Sequence, residues 1–268
     1  MRLISLSTLI GIVFGFGLFV YAVVNNTSQY HIFWSLSSLM LVLGGTLAAT
    51  MISYEGRYVW RALGTLAQVV VPTRVNPKVL YNEVEQIINW RKIGAKSGIT
   101  KLEEEFAKTE RDADSFLRHC IHLFLAGYKE EDLRGKLTTM MNTMYERNMV
   151  QATILNTMAN IAPGFGMIGP LVGLIIMLSE LDGGKSNLGM GLALALITTL
   201  YGVILAQLLF KPASRRAEQK EQILKFRNAL IIDAFMLLVA RASSHQIQGH
   251  LNSFLDPEIH FNNASAAR

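Results

Sequence analysis

The distribution of charge constrains this chain more than any other feature. Asp, Glu, Lys and Arg are absent from Leu3–Tyr54, Asn156–Ser179 and Leu188–Phe210, although they make up 17% of the 268 residues. A bilayer core about 30 Å thick is crossed by about 20 apolar residues in a helix. Leu3–Tyr54 is long enough for two such helices and is divided by the polar patch Asn25–His31. The pattern therefore predicts four membrane spans, at residues 3–24, 32–54, 156–179 and 188–210. A cleaved secretory signal is the other reading of the first span. Its only basic flank is Arg2, and Val20–Asn26 makes a poor small-residue cleavage site, so a retained span is expected.

Orientation follows from Lys and Arg. Residues 55–155 hold 15 of the 25 basic residues and residues 211–268 hold eight more. The connector Asn25–His31 has none, and Glu180–Asn187 has only Lys185. Both termini and the large middle segment are therefore expected in the cytoplasm. The net charge of +5 is a topology signal first. Acidic residues are interspersed with the basic ones and no aromatic-basic platform is visible, so no nucleic acid partner is expected. A single cysteine, Cys120, excludes an internal disulfide.

The fold class predicted is all-α: a polytopic membrane protein with four transmembrane helices and a helical cytoplasmic domain. It divides into a first hairpin (1–54), a cytoplasmic helical domain (55–155), a second hairpin (156–210) and a cytoplasmic helical tail (211–268). In the middle segment, Asn76-Pro77 is a helix start. Gly94 and Gly98 interrupt that helix, and Thr100-Lys-Leu-Glu103 fits a capping box for the next. A further helix starts near Glu130, and no stop signal separates it from the third span, so one long helix is expected. Ala213–Ala242 is again amphipathic.

Little in the chain suggests catalysis. His119, Cys120 and His122 are sequence neighbours that cannot converge on a metal from one helix. Gly164-Phe-Gly166-Met-Ile-Gly169 matches a dinucleotide fingerprint but lies inside a span, with no strand before it. No nucleophile constellation or cofactor site is present, and the chain is not expected to be an enzyme. The unusual feature is the third span itself, which holds Pro163, Pro170, Gly164, Gly166, Gly169 and Gly173. Small residues at four-residue spacing, there and at Gly11 and Gly15, and the pair Gly44-Gly45, suit close helix approach.

"LVLGGTLAATMISY" (41–54), "MANIAPGFGMIGPLVGLIIMLSELD" (158–182) and "LALALITTLYGVILAQLLFKP" (192–212) resemble the MotA/PomA family of bacterial flagellar stators, and so does the layout of the whole chain. The resemblance implies a ring-forming stator subunit in the bacterial inner membrane. Five such subunits would surround two single-span MotB/PomB-type partners, each carrying a membrane aspartate. Ion flux would be converted into torque on the rotor protein FliG. This chain has no carboxylate in its own spans, which fits a partner that supplies it.

The resemblance also assigns residues. Pro163 and Pro212 match the family's functional prolines. Thr198, Thr199 and Tyr201 match the fourth-span motif, with Thr199 the more pore-facing, although a membrane threonine otherwise tends to bond its own helix. Gly164, Gly166, Gly169 and Gly173 would allow the ring helices to approach their partner closely. Pro170 departs from the threonine that many relatives carry there. Arg91, Lys92, Lys96, Glu103 and Glu104 stand near the family's rotor-facing charges, with Ala95 where the basic pair would be completed. Side-chain oxygens are few around Pro163, so the transported ion is expected to be H+, with Na+ the alternative. Other readings of the same core are an ExbB/TolQ-like energiser of another ion-driven machine and a non-conducting membrane scaffold. A secondary transporter is disfavoured, because no internal inverted repeat is visible.

Overall fold

The computed structural model describes residues 6–27, 30–68, 71, 75–111, 113–181, 188–255 and 260. It is all-α, with no strand among the described residues. In chain order the helices are α1 (Leu6–Asn26), a 3-10 turn (Tyr30–Phe33), α2 (Leu36–Ser53), α3 (Gly56–Gln68), α4 (Pro77–Glu110), α5 (Ser115–Leu125) and α6 (Glu130–Leu181). They continue with α7 (Leu188–Ile204), a π turn (Leu205–Phe210), α8 (Lys211–Val239) and α9 (Ser244–Asn252). Four helices are long and apolar enough to cross a membrane: α1, α2, α6, and the run that begins with α7. Leu3 at the expected start of the first span, and most of the Glu180–Asn187 connector, lie outside the described residues.

The chain forms two compact units, Met1–Pro72 with Asn148–Gln219 and Thr73–Arg147 with Lys220–Arg268. In the first, α2 buries one stripe, Ser38, Val42, Thr46 and Thr50. The two threonines donate back to carbonyls on their own helix, at 2.6 and 2.7 Å, which removes their polarity from the packing face. A second apolar cluster joins Ala62 of α3 to Ile154, Leu155, Met158 and Ala162 of α6 and to Phe210 and Ala213. Polar ties flank it: Lys211 Nζ donates to Asn156 Oδ1 (2.8 Å) and Ser214 Oγ to Ala152 O (2.8 Å). α3 is a separate helix, divided from α2 only by Tyr54 and Glu55.

In the second unit α4 is folded on itself. Asn76 caps its start, accepting from the Val79 amide at 2.9 Å, with Pro77 at the first helical position. Gly98 then takes φ +78° and ψ −177°, a conformation that excludes most side chains, and the chain reverses. Gln86 Nε2 donates to Thr109 Oγ1 (3.0 Å), the Trp90 and Phe106 rings meet edge-on at 4.9 Å, and Gly94 faces Leu102. These pairs place the bend of an antiparallel helical hairpin at Gly98. The expected interruption at Gly94 does not occur. That residue stays helical, and a Cβ on it would sit 3.5 Å from Leu102, in ordinary contact.

The aromatic cluster continues through Phe124 and Phe235, with centroids 5.7 Å from Phe106 to Phe124 and 5.8 Å from Phe124 to Phe235. One buried cation is set beside it. Arg227 of α8 grips Glu83 of α4 with Nη2 at 2.6 Å and Nε at 2.8 Å, and also bonds Asp114, the N-cap of α5. Burial pulls the Arg227 pKa down, but the Glu83 and Asp114 carboxylates outweigh it and raise the pKa overall. Three helices are thereby tied at one point.

Candidate ion-path and rotor-facing sites

α6 carries two opposite faces in its membrane stretch. Ala162, Gly166, Gly169 and Gly173 are buried, at helical spacing, against α7. A Cβ on Gly166 would lie 3.2 Å from Gly202 Cα and 3.2 Å from Thr198 O, and one on Gly173 would lie 2.9 Å from Gly191 O. The partner glycine on α7, Gly202, is equally tight, 2.8 Å from Ala162 O. Only residues without side chains allow this approach. Gly45 of α2 does similar service for the Phe165 ring. Gly164 is different: a Cβ there would meet nothing within 4 Å among the described residues, and the same holds for Gly11 and Gly44.

The opposite face of α6 is an apolar stripe, Met167, Leu171, Ile175 and Leu178, each more than 60% exposed. α7 adds Leu192, Leu196 and Val203. Pro163 and Pro170 lie half-buried between the two faces of α6.

Hydroxyl groups tie α7 to α2 while Thr198 also packs against Gly169 of α6. Thr198 is 1% exposed, and its Oγ1 donates to Ser38 Oγ of α2 at 3.2 Å. Ser38 also accepts from Ser35 Oγ at 2.9 Å. Tyr201 Oη donates to Phe33 O at 2.6 Å and accepts from the Ser35 amide at 3.1 Å. Thr198 and Tyr201 therefore anchor α7 to the start of α2, where Ser35 is the N-cap. Thr199 bonds α6 directly: its Oγ1 donates to Gly166 O at 3.0 Å. Sequence reading missed Ser35 and Ser38. Their only signal is a run of serines at the head of an apolar helix, which also describes a simple N-cap.

Pro212 does not end a helix. The π turn immediately before it widens the backbone, and the Lys211 amide donates five residues back to Ala206 O. Such a turn accommodates a proline that an α-helix would reject. Pro212 is exposed and, with Leu208 and Arg216, borders a groove of about 340 Å³ whose far wall is Thr8, Gly11, Ile12 and Phe16 of α1.

In the second unit the five rotor-facing candidates separate into two groups. Lys92 and Lys96 on the first arm of α4, and Glu103 and Glu104 on the second, are all exposed around the Gly98 bend. Arg91 is half-buried and occupied. Its Nε donates to Ala242 O (2.5 Å) and its Nη2 to Arg241 O (2.9 Å), where Arg241 adopts a left-handed φ of 53°. Arg91 holds the turn between α8 and α9. A capping box, Ser243 with Gln246, starts α9.

No group of three His, Cys, Asp or Glu side chains suited to a metal is found among the described residues. Cys120 is buried in the core, and burial, followed by the nearby Asp114, pushes its thiol up to about 12. His122 instead lies 3.1 Å from Glu110.

Four spans without Asp, Glu, Lys or Arg, a seam of glycines and hydroxyls between two of the helices that carry them, and a second unit that is wholly helical define the class: a multi-pass helical membrane protein with a further helical domain. The MotA/TolQ/ExbB proton channel family model matches residues 108–227. Motility protein A of Treponema phagedenis is 30% identical over 230 residues, covering 84% of this chain and 85% of that protein. Motility protein A of Borreliella burgdorferi is 29% identical over 260 residues, 95% of each chain. The solved C. jejuni MotAB structure superposes with a TM-score of 0.83 at 22% identity, covering 97% of this chain and 99% of that one. The chain belongs to the MotA/PomA family of motility proteins.

Proposed function

We propose that this chain is the ring-forming stator subunit of a bacterial flagellar motor, conducting ions across the inner membrane together with a single-span MotB/PomB-type partner and turning ion-motive force into torque. Family membership makes it a channel and torque subunit rather than an enzyme. The observation that carries the reading is the division of the α6–α7 pair. One face is a glycine seam, the other an unpartnered apolar stripe, and neither holds a titratable group.

A proton crossing here needs a carboxylate and a water path, and this chain brings no carboxylate to its spans. The partner's aspartate fills that role, next to the stretch of α6 where Pro163 withholds a helix bond from Ala159. Pro163 is the point at which α6 bends as the aspartate charges and discharges. Thr198 and Tyr201 hold α7 to α2 while it does so. The glycines Gly166, Gly169 and Gly173 form the seam on which α6 and α7 stay in register, and Gly164, whose Cβ direction is open, is left for the partner. Pro212 and its π turn give the inner end of the fourth span its compliance.

The ion is H+. Side-chain oxygens near Pro163 are few, Thr198 and Thr199 on the fourth span and none at Pro170, so the oxygen shell that Na+ requires is poorly supplied. Both termini and residues 55–155 are cytoplasmic, from the basic surplus there. Five copies surround two partners. The exposed set Lys92, Lys96, Glu103 and Glu104 at the tip of the α4 hairpin meets FliG, with Arg91 holding the frame behind it. Co-expression with the candidate partner, followed by native mass measurement, tests this. The expected complex contains five copies of this chain and two partners; a chain that purifies alone as a monomer refutes it.

A further inference from the structure

We propose that Thr199 is a positioning residue: its hydroxyl replaces the helix bond that Pro170 withholds from Gly166, which ties the part of α6 beyond Pro163 to α7 and confines bending of α6 to Pro163. In an α-helix the Gly166 carbonyl would accept the amide of residue 170. That residue is proline and has no amide hydrogen. In a membrane an unpaired carbonyl needs another donor. Thr199 Oγ1 lies 3.0 Å from Gly166 O, closer than its 3.4 Å approach to Ala195 O on its own helix.

The bond is possible because Gly166 has no side chain. A Cβ there would sit 3.3 Å from Thr199 Cα and 3.2 Å from Gly202 Cα, so α7 lies directly on the α6 backbone. The neighbouring residue ties α7 in the other direction, since Thr198 donates to Ser38 of α2. Thr199 thus extends the chain of attachments α2–α7 to α6 at the second proline. The bond itself follows from the geometry, and its consequence for torque rests on the stator reading above.

The test is a cycle of variants in the full chain purified with its partner. Thr199→Val keeps shape and removes the donor, Thr199→Ser keeps the donor, and Pro170→Ala supplies the missing amide from within α6. Thr199→Val is expected to lower the melting temperature, Thr199→Ser to leave it near the parent, and Thr199→Val to be nearly silent in the Pro170→Ala background. The non-additivity should amount to at least about twofold in the folding equilibrium. In a bead-rotation assay each stator that joins the motor adds a torque step. Thr199→Val should reduce step height without changing the number of steps, and Thr199→Ser should restore the height. A general loss of stability would reduce the number instead. Equal damage from Val and Ser, or a Val penalty unchanged by Pro170→Ala, overturns the proposal. If no torque step depends on this chain, the stator reading fails, and the melting cycle still decides the bond.

Discussion

Adding one methyl group at Gly169 should open the α6–α7 seam. A Cβ at this position would lie within 2.6 Å of three side-chain atoms of Thr198, including its Cβ. Ordinary carbon contacts are about 3.5 Å, so the overlap is about 1 Å or more. Rotating Thr198 gives no relief, because its Cβ is fixed by the backbone and its hydroxyl is tied to Ser38. The helices must separate, and Gly166 and Gly173 on the same face lose contact with α7. Overpacking of this kind costs about 1–3 kcal/mol. Gly164→Ala is the control. It enters open space, and it gains helix propensity of up to about 1 kcal/mol over glycine. Thermal unfolding of the full chain in detergent separates the two. At about 2–4 °C per kcal/mol for a chain of roughly this size, Gly169→Ala should melt several degrees below the parent and Gly164→Ala at or above it. Equal melting points would refute the packing argument. A stable Gly164→Ala chain that fails to drive rotation would place Gly164 against the partner.

Arg227→Met should destabilise the second unit by about 3–5 kcal/mol, because Glu83 and Asp114 are left without their counterion; melting of the full chain, with Glu83→Gln added as partial rescue, checks this. Cys120 should resist maleimide in the folded chain and react on unfolding. Its folded pKa is raised, so its contribution to stability is intact below the ordinary thiol range and is lost as pH rises through that range toward about 12. Reversing Glu103 and Glu104 to Lys should reduce swimming while leaving melting unchanged, since exposed charges each contribute about 0–1 kcal/mol to stability; a compensating charge on the rotor should restore part of the speed.

The fold was readable because charge-free runs and helical periodicity depend on local composition. Asn76-Pro77 and the uninterrupted pattern from Glu130 into the third span are examples. The sequence could name Thr199 and Arg91, but it could not show what they touch. Thr199 bonds a carbonyl 33 positions away, and Arg91 bonds carbonyls 150 and 151 positions away. No spacing rule encodes such partners. Gly94 and Gly98 are alike in sequence, and contacts across the hairpin, such as Trp90 with Phe106 and Gln86 with Thr109, select Gly98 as the bend. The division of the glycines into Gly166, Gly169 and Gly173 on the seam and Gly164 off it follows from helical phase. It becomes visible only once the position of α7 is known.

The conversion of a proton gradient into rotation is tested most directly by tethered-cell rotation. Speed is followed while an uncoupler lowers the proton-motive force in steps at constant external sodium. Rotation driven by this chain and its partner should slow in proportion and stop when the gradient is gone, whatever the sodium level. Rotation that persists without a proton gradient, or that rises steeply with external sodium, would contradict the account.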